Sequence, residues 1–127
     1  MADIFDILRY EHDKGAYPNV PETYVEVANV SMLAVEPGEY EFGYSAITTY
    51  DQTTKSLYGR FSTDGGSTWT EVRVEPKDNT NIVPEQYQFI ETVTVAGDLS
   101  LIVQARKEDA IGTFDLVAIN AWIKRMK

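Results

Sequence analysis

The feature that most constrains the fold is a period-two alternation of apolar and polar residues that recurs along most of the chain. It is clearest between Glu39 and Asp51, where one face is mainly apolar and aromatic and the other is polar or small. The first face consists of Tyr40, Phe42, Tyr44, Ala46 and Thr48. Because successive side chains of a β-strand point to opposite faces, the pattern predicts an antiparallel strand with one buried side.

Further strands are predicted wherever this pattern or a β-branched run recurs between turn signals. They cover approximately residues 24–35, 57–62, 68–75, 86–95, 99–105 and 113–126, with a polar loop at 76–84 and a bulge before Ile119. Turn signals of the Pro-Gly, Asp-Gly and Gly-Asp kind separate several of them. About seven or eight short strands without a long helix predict an all-β fold, an antiparallel sandwich of jelly-roll type.

The first 22 residues depart from the strand pattern. Apolar residues recur there at roughly helical spacing, and a polar run and two prolines follow. This pattern is typical of a short amphipathic helix or an extended arm, whose apolar face needs a partner in the sandwich or in another subunit. We therefore predict an N-terminal arm at residues 1–22 and a β-sandwich domain at residues 23–127.

Charge and cysteine content limit the partners of the chain. The 127 residues suit one domain, and their net charge of −9 disfavours phosphate backbones and anionic lipid surfaces. We therefore expect neither a nucleic acid nor a membrane partner. The sequence has no cysteine and its start lacks a secretion signal, which indicates synthesis in a cytoplasm.

Catalytic and metal-binding patterns are missing from the sequence. His12 is the only histidine, no Cys pair exists, and the five arginines are scattered along the chain. We therefore predict no catalytic residue, no metal ligand and no cofactor. Two alternatives stay open: calcium at the loop residues 78–81 or at 108–109, and a glycosidase that uses the strand carboxylates Glu39, Glu41 and Glu91.

One local motif is present, Ser62-Thr63-Asp64-Gly65-Gly66-Ser67-Thr68-Trp69. It resembles the Asp-box of sialidases and other β-propellers, in which the box is a structural hairpin remote from the catalytic site. The Asp side chain can accept hydrogen bonds from backbone N–H groups across the turn, and glycine supplies positive φ angles. The structural hairpin residues are Ser62, Asp64, Gly66 and Trp69, with the Trp expected to cover the hairpin from its apolar side.

A second resemblance concerns topology. The segments 37–42, 95–101 and 113–116 are similar to the first core strand, a Gly-Asp turn and the final strand of complement-type and tumour necrosis factor-like jelly rolls. This resemblance implies the same order of strands in the sandwich.

An acidic, cysteine-free sandwich with an arm also resembles phage head decoration and cement proteins. The resemblance implies a non-enzymatic structural protein, assembled in the host cytoplasm and located in the virion. Its partners would be the major capsid protein or other virion subunits, and it would form a homo-oligomer. The alternative is a carbohydrate- or receptor-binding module. The predicted binding residues are Ile4, Phe5, Ile7, Leu8 and Tyr10 in the arm and Tyr17, Tyr50 and Tyr58 as surface anchors.

Overall fold

The protein is built from β-strands alone in the part that the structure describes. The computed structural model describes residues 9–51, 55–74 and 82–126, with side chains given for all but residues 50, 74 and 82–85. The strands are β1 (Tyr10–Tyr17), β2 (Val25–Val35), β3 (Gly38–Tyr50), β4 (Leu57–Ser62), β5 (Thr70–Val74), β6 (Ile82–Val93), β7 (Gly97–Lys107) and β8 (Phe114–Arg125). The predicted all-β class is confirmed, and β6 begins inside the segment predicted as a loop.

The strands form two four-stranded antiparallel sheets. The first sheet has the order β1-β8-β3-β6 and the second the order β2-β7-β4-β5. The pairs are nested in sequence, since β4 pairs with β5, β3 with β6, β2 with β7 and β1 with β8. The chain is therefore one long antiparallel hairpin rolled into a sandwich, and the predicted jelly roll is confirmed.

Strand β1 corrects the prediction of an arm over residues 1–22. Residues 10–17 pair with β8, for example Tyr10 with Lys124, and Asp13 Oδ2 accepts a hydrogen bond of 3.0 Å from the backbone N–H of Asn29 in β2. Because β1 is an edge strand whose side chains are mostly exposed, its sequence shows no apolar face, and backbone pairing with β8 is its main attachment to the sheet. Residues 1–8 lie outside the described part of the chain.

The core lies between the sheets and follows the predicted alternation of β3. Tyr40, Phe42, Tyr44, Ala46 and Thr48 are all buried. The ring of Phe42 stacks on that of Phe89 at 5.4 Å, and Phe89 in turn lies 5.3 Å from Phe61 of the other sheet. These aromatic contacts join the two sheets at the side where β6 faces β4.

The bulge predicted before Ile119 lies in β8. In the pairing of β3 with β8, Ile47 is opposite Ala118 and Thr48 is opposite Leu116, so Val117 has no cross-strand partner. Ala118 is therefore exposed, while Ile119 returns to the core. After the bulge, alternate residues of β8 face outward from the first sheet, namely Asn120, Trp122 and Lys124.

The turn between β4 and β5 is held by the side chain of Asp64. Its Oδ1 accepts hydrogen bonds from the Ser62 hydroxyl (2.6 Å) and the Thr68 backbone N–H (2.9 Å), and its Oδ2 accepts one from the Thr68 hydroxyl. The hydroxyl of Ser62 also accepts the backbone N–H of Gly66 at 2.9 Å. Gly65 and Gly66 have φ angles of 75° and 95°, which favour glycine.

These hydrogen bonds make the hairpin sensitive to pH. The bonds from Ser62 and Thr68 hold the pKa of the Asp64 carboxyl well below its usual range. A group whose pKa is lowered by folding stabilises the protein above its unfolded pKa of about 3.9, and the stabilisation is lost as the pH falls towards the folded pKa.

We therefore expect Asp64→Asn to lower Tm at pH 7, and the difference from the wild type to narrow below about pH 4. Circular dichroism melts between pH 7 and pH 2 measure both effects. Glu11→Gln removes the same charge from an exposed residue of β1 and is the control. Equal Tm values of the wild type and Asp64→Asn at pH 7 would contradict the prediction.

Candidate functional site

The outer face of the first sheet carries an open groove. A concavity of about 580 Å³ is lined by residues of all four strands, Lys14, Gly15, Ser45, Ala46, Ile47, Gln86, Ala118, Ile119 and Asn120. A second concavity of about 300 Å³ adjoins it, lined by Tyr10, Glu41, Ser45, Gln86, Asn120, Trp122 and Lys124. Because Ser45, Gln86 and Asn120 line both, the two form one groove along β3 and β8, with β1 and β6 as its sides.

Trp122 lies against the backbone of its cross-strand partner Gly43 in this groove. A Cβ atom added to Gly43 would be 2.5 Å from Cζ2 and 2.7 Å from Cε2 of the Trp122 ring. The indole therefore occupies the space that any other residue at position 43 would fill. Its Nε1–H donates a hydrogen bond of 2.8 Å to Glu41 Oε2, which fixes the direction of the ring.

Polar groups of amide, hydroxyl and ammonium type surround this ring. Glu41 Oε2 also lies 3.6 Å from Lys124 Nζ, and the Glu41 side chain is only 14% exposed. Asn120 Oδ1 is buried and has no hydrogen-bond partner among the described residues. Such unpaired acceptors are rare in native structures, and the Asn120 amide lines both concavities of the groove.

The groove combines an aromatic surface with hydrogen-bond donors and acceptors close to it. An aromatic ring binds the apolar face of a flat or chair-shaped molecule, whereas amide and hydroxyl side chains bind polar groups at its rim. Sugar rings have this division, with C–H groups on a face and hydroxyls around the edge. The groove is therefore chemically suited to saccharides.

The predicted binding residues are dispersed over the molecule. Tyr10 lies at the groove and is 49% exposed, whereas Tyr17 packs against the core. Tyr58 is partly buried on the outer face of the second sheet. Ile4, Phe5, Ile7 and Leu8 and the side chain of Tyr50 lie outside the described part of the structure.

The outer face of the second sheet carries a row of stacked rings and guanidinium groups, which we call the arginine ladder. Its members, in order, are Trp69, Arg60, Tyr24, Arg106, Tyr58 and Arg73, with each guanidinium carbon 4.1 to 5.8 Å from the neighbouring ring centroids. Trp69 was expected to cover the hairpin from its apolar side. The ring does lie over the turn, since a Cβ atom added to Gly66 would be 3.4 Å from its Cζ2, and it also stacks on Arg60 on the outer face of the sheet.

Tyr24 joins the two edges of this second sheet. Its hydroxyl donates a hydrogen bond to Glu71 Oε2 in β5, although Tyr24 itself immediately precedes β2. Partial burial, together with this bond to Glu71, raises the pKa of Tyr24 to about 12. The hydroxyl thus stays protonated, and it remains a donor, throughout the neutral range.

The sequence interpretation missed Trp122 and Asn120, although β8 contained the signal for both. In the predicted strand after the bulge, Ile119, Ala121 and Ile123 alternate with Asn120 and Trp122, so an inner face for the apolar residues places Asn120 and Trp122 outward. A tryptophan on an outward face of a predicted strand is unusual enough to mark a site. Gly43 makes room for the Trp122 ring only because the register between β3 and β8 places the two residues opposite each other, and the sequence does not reveal that register.

Among residues 9–51, 55–74 and 82–126, no three His, Asp or Glu side chains form a group that could hold a metal ion. The same part of the chain contains no helix long and apolar enough to cross a membrane.

Comparison with known proteins gives likenesses of fold. No protein-family model matches the sequence, and no curated protein sequence matches it either. A family GH115 4-O-methyl-α-glucuronidase with specificity for decorated arabinogalactans matches at a TM-score of 0.49 and 13% identity, over 88% of this chain but only 14% of that one.

Two smaller proteins match over most of their own length. TmCBM61, in complex with β-1,4-galactotriose, has a TM-score of 0.45 and 16% identity over 95% of this chain and 90% of its own. Eiger TNF from S. frugiperda has a TM-score of 0.41 and 9% identity over 95% and 92%. At these identities the likeness concerns the sandwich and not the site.

The contact between Trp122 and Gly43 predicts the effect of one added methyl group. We expect Gly43→Ala to displace the indole and break its hydrogen bond to Glu41, because the new Cβ would overlap the ring. The change should appear as a shift of the Trp122 indole N–H resonance in a two-dimensional NMR spectrum. Gly97→Ala, where an added Cβ meets nothing within 4 Å, is the control. An unmoved indole resonance in Gly43→Ala would show that the ring does not lie on Gly43.

Proposed function

We propose that this chain is a carbohydrate-binding β-sandwich module that holds a neutral glycan in the groove on its first sheet. The observation that carries the proposal is the Trp122 ring, lying on Gly43 and oriented by Glu41 within a groove of amide and hydroxyl side chains. A sugar ring stacks on the indole in this proposal. Its hydroxyls bond to Asn120, Gln86 and Ser45.

The length of the groove favours an oligosaccharide. It follows β3 from Glu41 to Ile47, which corresponds to roughly 20 Å at the rise of a β-strand. A single sugar would occupy only part of this length. Several consecutive sugars therefore bind in the proposal, with Trp122 near one end and the apolar side chains of Ile47 and Ala118 at the other.

The carboxylates of the groove favour binding without hydrolysis. A glycosidase of the usual kind uses two carboxyl groups about 5–10 Å apart on either side of the scissile bond. Of Glu39, Glu41 and Glu91, only Glu41 lines this groove, and its Oε2 already accepts the Trp122 N–H. Glu91 lies at a separate opening between the sheets, beside Phe61 and Tyr87.

The proposal is tested on a glycan array, followed by titration calorimetry with the best neutral oligosaccharide. We expect Trp122→Ala to weaken binding at least tenfold, which corresponds to about 1.4 kcal/mol. Trp69→Ala removes the same ring from the opposite face and should leave the affinity for neutral glycans unchanged. If no glycan on the array binds, either without calcium or with it, the chain is not a carbohydrate-binding module.

A second candidate is the capsid decoration protein predicted from the sequence. It is favoured by apolar side chains on the same outer face, where Tyr10, Ile47 and Ile90 are 49%, 47% and 57% exposed. Exposed apolar surface of this kind suits a protein contact. In this candidate function the chain forms a homo-oligomer and binds the major capsid protein or another virion subunit, and its location is the virion.

Light scattering after size exclusion and co-sedimentation with capsids test this second function. If the face binds protein, Ile90→Ser should lower the sedimented fraction several-fold, since burial of one isoleucine is worth about 1.5–3 kcal/mol. Val95→Ser removes an exposed apolar side chain from a turn between β6 and β7 and is the control. A monomer that does not sediment with particles would rule this function out.

A further inference from the structure

The structure brings together arginines that are far apart in the sequence. Arg60, Arg73 and Arg106 lie on the outer face of the second sheet as members of the arginine ladder. We propose that this ladder is a second binding surface, which holds the carboxylate or sulfate groups of an acidic polysaccharide. The surface lies on the opposite side of the sandwich from the groove, so this inference goes beyond the proposed binding of neutral glycans.

Two of these arginines have no carboxylate partner. Among the described residues, no Asp or Glu lies within ion-pair distance of Arg60 or Arg106, although the chain contains 20 acidic residues. Glu71 lies nearby on the same face, but its Oε2 accepts the Tyr24 hydroxyl. The charges of Arg60 and Arg106 are thus left for a ligand.

Neighbouring side chains hold the guanidinium group of Arg60 in place. Arg60 lies between the rings of Tyr24 and Trp69, 4.1 Å from each centroid, and its Nε donates a hydrogen bond of 2.7 Å to Gln104 Oε1. Gln104 occupies Nε, and no described residue accepts a hydrogen bond from Nη1 or Nη2 of Arg60. The edge with Nη1 and Nη2 is the fork that binds carboxylate or sulfate in a bidentate manner.

Arg106 lies beside Arg60 between two rings, and its Nη1 donates a hydrogen bond of 3.3 Å to the carbonyl of Lys107. Its guanidinium carbon lies 5.2 Å from the Tyr24 ring and 4.1 Å from the Tyr58 ring, so that one tyrosine separates the two cations. Apolar rings and cationic edges therefore alternate along the row. An acidic polysaccharide has the complementary alternation, with C–H surfaces of its sugars between successive anionic groups.

A purely structural role accounts for only part of the ladder. The bond from Tyr24 to Glu71 fastens the two edges of the sheet and explains why Tyr24 lies across it. Arg106 also interacts with the Tyr24 hydroxyl, whereas Arg60 contacts only the ring of Tyr24 and takes no part in this bond. The net charge of −9 also repels polyanions in general, so binding here depends on these particular donors rather than on the overall field.

The test uses titration calorimetry with a galacturonic acid hexamer, its neutral methyl ester, inorganic sulfate and a hexaglutamate peptide. We expect the acid hexamer to bind, and the methyl ester to bind at least tenfold more weakly at this surface. Arg60→Gln and Arg106→Gln should each reduce the affinity for the acid at least tenfold. Arg60→Lys, which keeps the charge without the fork, should also reduce it.

Two control variants separate this proposal from the others. Arg9→Gln removes a positive charge elsewhere and should leave the affinity for the acid hexamer unchanged. Trp122→Ala should also leave it unchanged while weakening the binding of neutral glycans at least tenfold, so that a failure of one surface is distinguishable from a failure of the other. Melting curves establish that each variant is folded.

The ladder would be excluded as an acidic-glycan site by any of four results. These are the absence of acid hexamer binding, equal affinities in the wild type and both Gln variants, a loss in Arg9→Gln equal to theirs, and tighter binding of hexaglutamate than of the hexamer. Binding of inorganic sulfate at the ladder with no hexamer binding would likewise overturn the proposal, since it would indicate a simple anion site.

Discussion

The nested pairing of the strands around the turn at Asp64 is the constraint on which the rest of the structure depends. Because β4 pairs with β5 through this turn, the registers of β3, β2 and β1 with their later partners follow outward from it. A slip of one residue in any pair would move its apolar side chains to the solvent. The hydrogen bonds of one carboxylate thus lie at the closed end of the whole hairpin.

On each outer face of the sandwich, the register between neighbouring strands decides which side chains meet. On the first sheet, the bulge at Val117 lets Ile119 return to the core and sets Asn120 and Trp122 on the outside. Pairing then places Trp122 opposite Gly43, where the lack of a side chain makes room for the indole. On the second sheet, the register places Arg60 beside Gln104 and Tyr58 beside Arg106. Both surfaces therefore result from packing that also maintains the core.

The sequence predicted those structural features that depend on a single segment of the chain. The alternation of β3 predicted its buried face, and the acceptor role given to Asp64 agrees with the hydrogen bonds of the turn. Strand β1 was missed because an exposed edge strand needs no apolar alternation. The ladder could not be predicted, because Tyr24, Arg60 and Arg106 meet only through the pairing of distant strands.

The two tryptophans of the chain lie on opposite outer faces, Trp122 in the groove and Trp69 at the end of the ladder. Each indole has a different environment, since one is fixed by a carboxylate and the other is covered by a guanidinium. The molecule therefore contains one tryptophan fluorophore for each surface. A variant that keeps a single tryptophan would report the occupation of its own face by a change in emission, without any attached label and independently of the other face.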